Sequence, residues 1–377
     1  MEAIGEHGEF DTSMVREKED VSTGYSLFFD GDLIIAKITP CFENGKGALV
    51  QGLLNGVGFG TTELHVLTPA EGVDGRFLYY VTVSEPFRKL GEAGMTGAAG
   101  QKRVTDEFIR NFPVPAHSLT KQRAIAAFLD LNIDQQDRLV AEKLHVLDLL
   151  TEKRRALITN AVTHGLNNAA PLRNSGVSWL GEIPAHWRAE RSKWLFKERD
   201  ERTENEEGEM LTVSHLTGVT PRSEKNVNMF EAETTEGYKI CRKGDLAINT
   251  LWAWMGAMGI SPCDGIVSPA YNVYVPGPEL LGGYVDALVR TPQFAEEIIR
   301  YSKGVWSSRL RLYPEGFFEA WLPVPPLAEQ RSIVAHIAQE TAKLDSLRAA
   351  AEGTLALLKE RRAALIAAAV TGKLKIP

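Results

Sequence analysis

The chain has 377 residues, is 44% hydrophobic and 24% charged, and carries a formal net charge of −7. Such a composition excludes a disordered or fibrous chain, and the length predicts several cores, because domains usually hold on the order of 100–200 residues. The acidic balance, with a pI near 5.7, gives no global support to nucleic-acid binding, so such a role must rest on local basic patches.

Cys41, Cys241 and Cys263 form no CxxC pair, which argues against a disulfide framework and a zinc ribbon and fits a reducing cytoplasm. The acidic opening MEAIGEHGEF is unlike a signal peptide, and no run of about 18 apolar residues occurs, so neither secretion nor membrane insertion is expected.

Taken in chain order, FFDGDLIIAKI around Asp32 and GTTELHVLTP ending at Pro69 are short apolar runs bounded by Gly, Asp and Pro, which predicts strands. GRFLYYVTVSEPFRKL predicts a helix pair broken near its proline, and GAAGQKRVTDEF a basic loop. Pro113 and Pro115 then hold the backbone extended until a helix can start. Roughly 40 proline-free residues follow, which at about 1.5 Å per residue make a rod of about 60 Å.

The same order then recurs. After an extra opening, Ser175 to Leu216, come the strands CRKGDLAINTL and SPAYNVYVPG, the helix pair GGYVDALVRTPQFAEEIIRY and the loop GVWSSRLRLYPEGF. Prolines at 323, 325 and 326 lead into a second rod, with Pro326 suited to the first helical position.

The recurrence is a duplication. At an offset of 208, residues 119–166 align with 327–374 without a gap and share 20 of 48 positions, among them Gln122/Gln330, Arg123/Arg331, Arg154/Arg362 and the Ala-Val-Thr at 161–163 and 369–371. In the second rod the seven-spaced row Ile337, Leu344, Ala351, Leu358 and Leu365 is apolar, with Ile333, Leu347 and Leu355 beside it, which is a coiled-coil seam. In the first rod Gln136 and Lys143 break that row, and a shifted row of Ile133, Val140 and Leu147 carries the stripe.

Packing is therefore expected at Ile125, Leu129, Leu147, Leu150 and Leu157, against Ile333, Ile337, Leu344, Leu347, Leu355, Leu358 and Leu365. The extra opening has no counterpart in the first half, which predicts that this half lacks about 35 residues its twin possesses, so that the chain starts in mid-domain.

Catalytic motifs are absent from the sequence: it has no NPPF or DPPY, no GxxxxGK[ST], no GxGxxG, no HExxH and no GxSxG. His65, His215 and His336 are isolated and read as surface or core residues.

The run Pro323-x-Pro325-Pro326-Leu327-x-Glu329-Gln330-Arg331, the ending Glu360 to Thr371, and the opening Trp179, Gly181, Ile183, Pro184 and Trp187 resemble the specificity subunit of type I restriction-modification enzymes. The first copy departs at Lys121, where the second has Glu329.

The resemblance implies an α+β chain: two α/β target-recognition domains separated by two long antiparallel coiled-coil helices. The expected boundaries are 1–117 and 167–325 for the domains, the first N-terminally incomplete, and 118–166 and 326–377 for the spacer helices. It further implies a non-catalytic, cytoplasmic DNA-recognition subunit. Each domain reads half of a bipartite double-stranded target, the helices set the spacing, and methyltransferase and restriction subunits assemble on it. S-adenosylmethionine, ATP and Mg2+ belong to those partners. A coiled-coil interaction scaffold and a degenerate specificity subunit stay open as alternatives.

Local charge marks where DNA is expected. Residues 298–313, IIRYSKGVWSSRLRLY, hold no acid and present Lys303, Trp306, Ser307, Ser308, Arg309 and Arg311, types that neutralise phosphates or read base edges. Gln101, Lys102 and Arg103 hold the similar place in the first half. A second candidate is the glycine-flanked loop AINTLWAWMGAMG, with Asn249 and Trp252, matched by Lys37 in the first half. Trp and Met at strand spacing fit a core as well.

Overall fold

The computed structural model describes residues 1–21, 23–98, 100–204, 208–224, 235–304 and 310–376. It divides into two compact units: residues 1–146 with 350–377, and residues 147–349. The division falls inside both long helices, so each unit owns one part of each.

In the first unit a short helix α1 (Lys18–Val21) precedes strands β1 (Tyr25–Phe29), β2 (Leu33–Ala36), β3 (Gly47–Leu49), β4 (Val57–Thr61) and β5 (Leu64–Leu67). β2 lies between β3 and β5, and β1 pairs with β4, all antiparallel. The helix pair follows as α2 (Gly75–Val83) and α3 (Glu85–Ala93), with Ser84 extended between them and Pro86 in the first turn of α3. Hairpin β6 (Thr96–Ala98) with β7 (Gln101–Arg103) and helix α4 (Asp106–Asn111) lead to the long helix α5 (Leu119–His164).

The second unit opens with β8 (Leu172–Asn174), β9 (Glu182–Pro184), β10 (Arg188–Arg191), α6 (Ser192–Leu195) and β11 (Phe196–Arg199). Then come β12 (Leu211–Ser214), β13 (Gly218–Pro221), β14 (Lys239–Cys241), β15 (Leu246–Asn249), β16 (Met258–Ile260), β17 (Gly265–Val267) and β18 (Tyr271–Pro276). The main sheet runs β11-β18-β15-β16, and β14 pairs with β17 as β1 does with β4. Helices α7 (Gly282–Val289), α8 (Pro292–Tyr301) and α9 (Pro314–Glu319), strand β19 (Trp321–Val324) and the long helix α10 (Leu327–Val370) complete it.

The duplication persists at the level of hydrogen bonds. Gly31 and Gly244 both take φ 93°, a left-handed conformation open to glycine, and the aspartate after each is buried and accepts the backbone N–H three residues back: Phe29 to Asp32 at 2.8 Å, Arg242 to Asp245 at 2.8 Å.

Near the start of each long helix a buried glutamine clamps the helix pair. The Oε1 of Gln122 accepts from Asp74 N (2.8 Å) and its Nε2 donates to the carbonyls of Gly72 and His117; that of Gln330 accepts from Leu281 N (2.7 Å), and its Nε2 donates to those of Glu279 and Pro325. The shared glutamine thus bonds matching backbone groups in both halves.

The opening found only before the second half closes over the start of α10. Trp187 is buried and donates its indole N–H to Glu329 at 2.9 Å, with His186 on the other carboxylate oxygen at 2.6 Å. Lys121, at Glu329's place in the first half, offers no such acceptor.

The long helices pair antiparallel. In the first unit Asp137 pairs with Arg362 and in the second Arg154 pairs with Asp345, both between residues whose numbers rise along one helix and fall along the other. Leu129, Ile133, Leu344, Ala351 and Leu358 are buried, as are Ile125 and Ile333 near the helix starts. Ile337, Leu147, Leu150, Leu157, Leu355 and Leu365 are half-buried.

Three sequence expectations change. Leu347 faces solvent, 56% exposed, while Ile366, which no seam assignment included, is 5% exposed and joins the first unit's core. Both rows of the first rod turn inward: Gln136 is buried despite its amide, where the sequence placed a break in the row. Pro326 precedes the first helical turn and its carbonyl accepts from Gln330 N, so it caps α10 where the first helical position was expected.

Candidate nucleic-acid interface

In each unit a basic segment is stitched to the chain leaving a central strand. In the first, β6–β7 lies on residues 37–39: Val104 N donates to Lys37 O and Thr39 N to Lys102 O, both 3.0 Å. Gln101, Lys102, Arg103 and Lys37 are thereby brought together, the first three exposed and Lys37 half-buried. Arg103 is bidentate on Glu63, with its Nη2 at 2.8 Å from one carboxylate oxygen and its Nε at 2.9 Å from the other, and this hydrogen bonding holds the Glu63 carboxyl below its usual range. Arg103 is thus partly neutralised, whereas Lys102 makes no ion pair among the described residues.

In the second unit Lys303 and Arg311 exchange backbone hydrogen bonds of 2.9 Å, and Leu312 N donates to Thr250 O at 2.9 Å. The pairs Val104–Lys37 and Leu312–Thr250 are equivalent under the duplication, so the two stitches are one design made twice. Both cations lean on the half-exposed ring of Tyr313, the Lys303 Nζ at 5.8 Å and the Arg311 guanidinium at 5.4 Å from its centroid. Neither has an ion pair among the described residues. Trp306, Ser307, Ser308 and Arg309 lie outside the described residues.

The stitch to Thr250 also ties the chain entering the Trp252 loop to the segment carrying Arg311. Asn249 is buried, donating from Nδ2 to Tyr271 Oη (3.1 Å) and Val213 O (3.4 Å), with its Oδ1 accepting from Leu251 N; it shapes the loop from inside. Trp252 is 50% exposed and its ring stacks on His215, with centroids 6.3 Å apart and planes 12° apart. Leu216, Leu251 and Met255 are exposed around it.

Sequence reasoning left His215 as an isolated histidine and missed Leu216. Their role depends on the β12–β13 turn meeting the Trp252 loop, a contact with no sequence signal. Arg300, in the same basic run, is held by Glu297 at 3.2 Å and is not available in the same way. Among the described residues no cluster of His, Cys, Asp and Glu is arranged to hold a metal ion.

The chain is 44% identical over 135 residues to the type I restriction enzyme EcoAI specificity subunit of Escherichia coli, a match covering 36% of this chain and 23% of that protein. It is 38% identical over 151 residues to the EcoEI specificity subunit of the same organism, covering 39% and 25%.

Over these stretches the chain is similar to type I specificity subunits. It spans about a quarter of the length of the curated relatives it matches. No protein-family model matches it.

Two solved structures share its fold. A chain in a structure described as the basis of complex assembly and conformational transition of the type I R-M system superposes with a TM-score of 0.71 at 19% identity, covering 93% of this chain and 85% of that one. The HsdS subunit from Thermoanaerobacter tengcongensis superposes at 0.54 and 20% identity, covering 92% and 82%.

Proposed function

We propose that the chain is the non-catalytic DNA sequence-recognition component of a type I restriction-modification complex. In this reading residues 1–117 and 167–325 each read one half of a split double-stranded target, and the helical segments 118–166 and 326–377 space them and seat methyltransferase subunits, with restriction subunits joining the complex. S-adenosylmethionine, ATP and Mg2+ act in those partners, in the cytoplasm. Among the described residues no helix is long and apolar enough to cross a membrane.

The observation that carries the reading is the basic segment that occurs twice, hydrogen-bonded in both units to the equivalent strand exit. Two similar readers in one chain take two different half-sites, where a symmetric dimer takes a palindrome. Lys303, Arg311 and Lys102 supply phosphate contacts, and Trp252, braced on His215, offers an aromatic face to a groove.

The deciding experiment assembles the chain with its methyltransferase subunit and maps methylated adenines. A split motif with a constant gap is the expected result. DNA binding should also weaken steeply with salt, and K303A with R311A should lower affinity by roughly tenfold or more and the salt slope by about 1–2. Salt-indifferent binding, or an unchanged affinity in the double variant, removes this hairpin from the interface.

A further inference from the structure

The chain that leaves the central strand makes the same turn in both units. After β2, Lys46 N donates to Cys41 O at 3.0 Å and Gly45 N to Phe42 O at 2.9 Å; after β15, Ala257 N donates to Trp252 O at 3.2 Å and Gly256 N to Ala253 O at 2.8 Å. Gly45 and Gly256 take φ 85° and 84°, the left-handed conformation on which each turn closes. The backbone is shared, but its exposed and half-buried side chains are not: Cys41, Glu43 and Asn44 stand where the second turn has Trp252, Trp254 and Met255. Asn44 and Met255, each just before the glycine, are both exposed.

The helix behind each turn meets it at the same point, four residues after the caps Ser84 of α3 and Thr291 of α8. In the second unit the methyl of Ala295 lies 4.0 Å from where a Cβ on Gly256 would stand. In the first the equivalent residue is Arg88, which is buried and donates from Nη1 to Phe42 O at 2.8 Å and from Nη2 to Gly45 O at 3.2 Å, with its guanidinium 4.7 Å from the centroid of the Phe42 ring. Burial lowers its pKa to about 10, so it is charged at neutral pH, and no carboxylate pairs with it among the described residues. A desolvated cation thus holds the backbone on both sides of Asn44. The segment entering this turn is bonded to the basic hairpin, through Thr39 N to Lys102 O and a bridge between Ile38 and Arg103.

On the reading that the chain recognises DNA, we propose that residues 41–44 are a specificity-determining turn of the first half-reader, with Asn44 at its tip reading a base edge and Arg88 as its positioning residue. Two readers of different half-sites need a common reach and different contacts. The shared turn supplies the reach, and the unlike side chains supply the contacts. An asparagine amide matches adenine, donating to N7 and accepting from the N6 amino group, whereas the Met255 side chain offers an apolar contact of the kind a thymine methyl takes.

The test assembles the chain with its methyltransferase subunit, maps methylated adenines, and measures binding to duplexes that vary each base pair of the first half-site. N44A should keep salt-dependent binding and the second half of the motif, while discrimination falls roughly tenfold or more at one base pair of the first half. M255A should do the converse. R88K keeps the charge but lacks the two-armed guanidinium, and should relax the same base pair as N44A with the second half intact. Circular dichroism and melting separate that loss from a folding defect, and N44A, at an exposed side chain, carries the test should R88K not fold. A split motif that N44A leaves unchanged, or changes in its second half, overturns the role of the turn. A folded R88K that discriminates as the unaltered chain does removes Arg88 as the positioning residue. No split motif from the unaltered chain instead overturns the DNA-recognition reading, and the assignment of the turn with it.

Discussion

Gln330 has no exposed surface and its amide completes three hydrogen bonds to backbone groups. Q330A leaves those groups buried and unpaired, which costs about 1–3 kcal/mol for each such group left without a partner; urea unfolding of the second unit should therefore lose about 3 kcal/mol or more. Q122A should show the same sign in the first unit. His65 behaves differently. Burial outweighs the Asp106 carboxylate 3.0 Å away and lowers its pKa from the usual 6.5. The unfolded chain then binds a proton first, so His65 contributes stability that is complete above about pH 6.5 and is lost as the pH falls through its lowered folded value. Melting of the first unit followed from pH 7.5 to 5 should show this acid limb, and H65Q should flatten it.

Between the long helices the rows that face inward are set by antiparallel pairing and include residues a hydropathy reading rejects. Gln136 sits in the seam with its Oε1 unpartnered among the described residues. Replacing it by leucine removes an unmet acceptor and adds apolar contact, so Q136L should raise the melting temperature, by about 1 kcal/mol of stability. Leu358, 8% exposed on the same seam, should cost about 2–4 kcal/mol as L358A, whereas L347A at the 56% exposed site should stay within about 0.5 kcal/mol. The shared 3.5-residue periodicity was legible in the sequence; the choice between Leu347 and Ile366 was not, since it depends on which stripe the facing helix presents.

At the scale of the whole chain, equivalence of the halves sets the expected binding behaviour. If both basic hairpins engage DNA, K102A should weaken binding in the first half-site as K303A with R311A does in the second, and the two losses should add because the sites are separate. Footprinting on a mapped target would show protection thinning at one half-site per variant. Protection lost equally at both half-sites from either variant would mean that the hairpins do not read separate halves.

What the sequence determined by itself is what the chain does locally and repeatedly. Prolines at 113, 115, 323, 325 and 326 keep the backbone extended, 46 and 44 residues of helix follow them, and the duplication announces two similar units. Tertiary structure alone decided how charges and edges are spent. It neutralised Arg103 with Glu63 and Arg300 with Glu297, left Lys303 and Arg311 on Tyr313, turned Asn249 inward, set Trp252 on His215, and filled the β14 edge with residues 201–203. The physical reason is range. Helix stiffness and periodicity act over a few neighbouring residues, whereas ion pairing, burial and strand pairing join groups dozens of residues apart and exist only once the chain has folded.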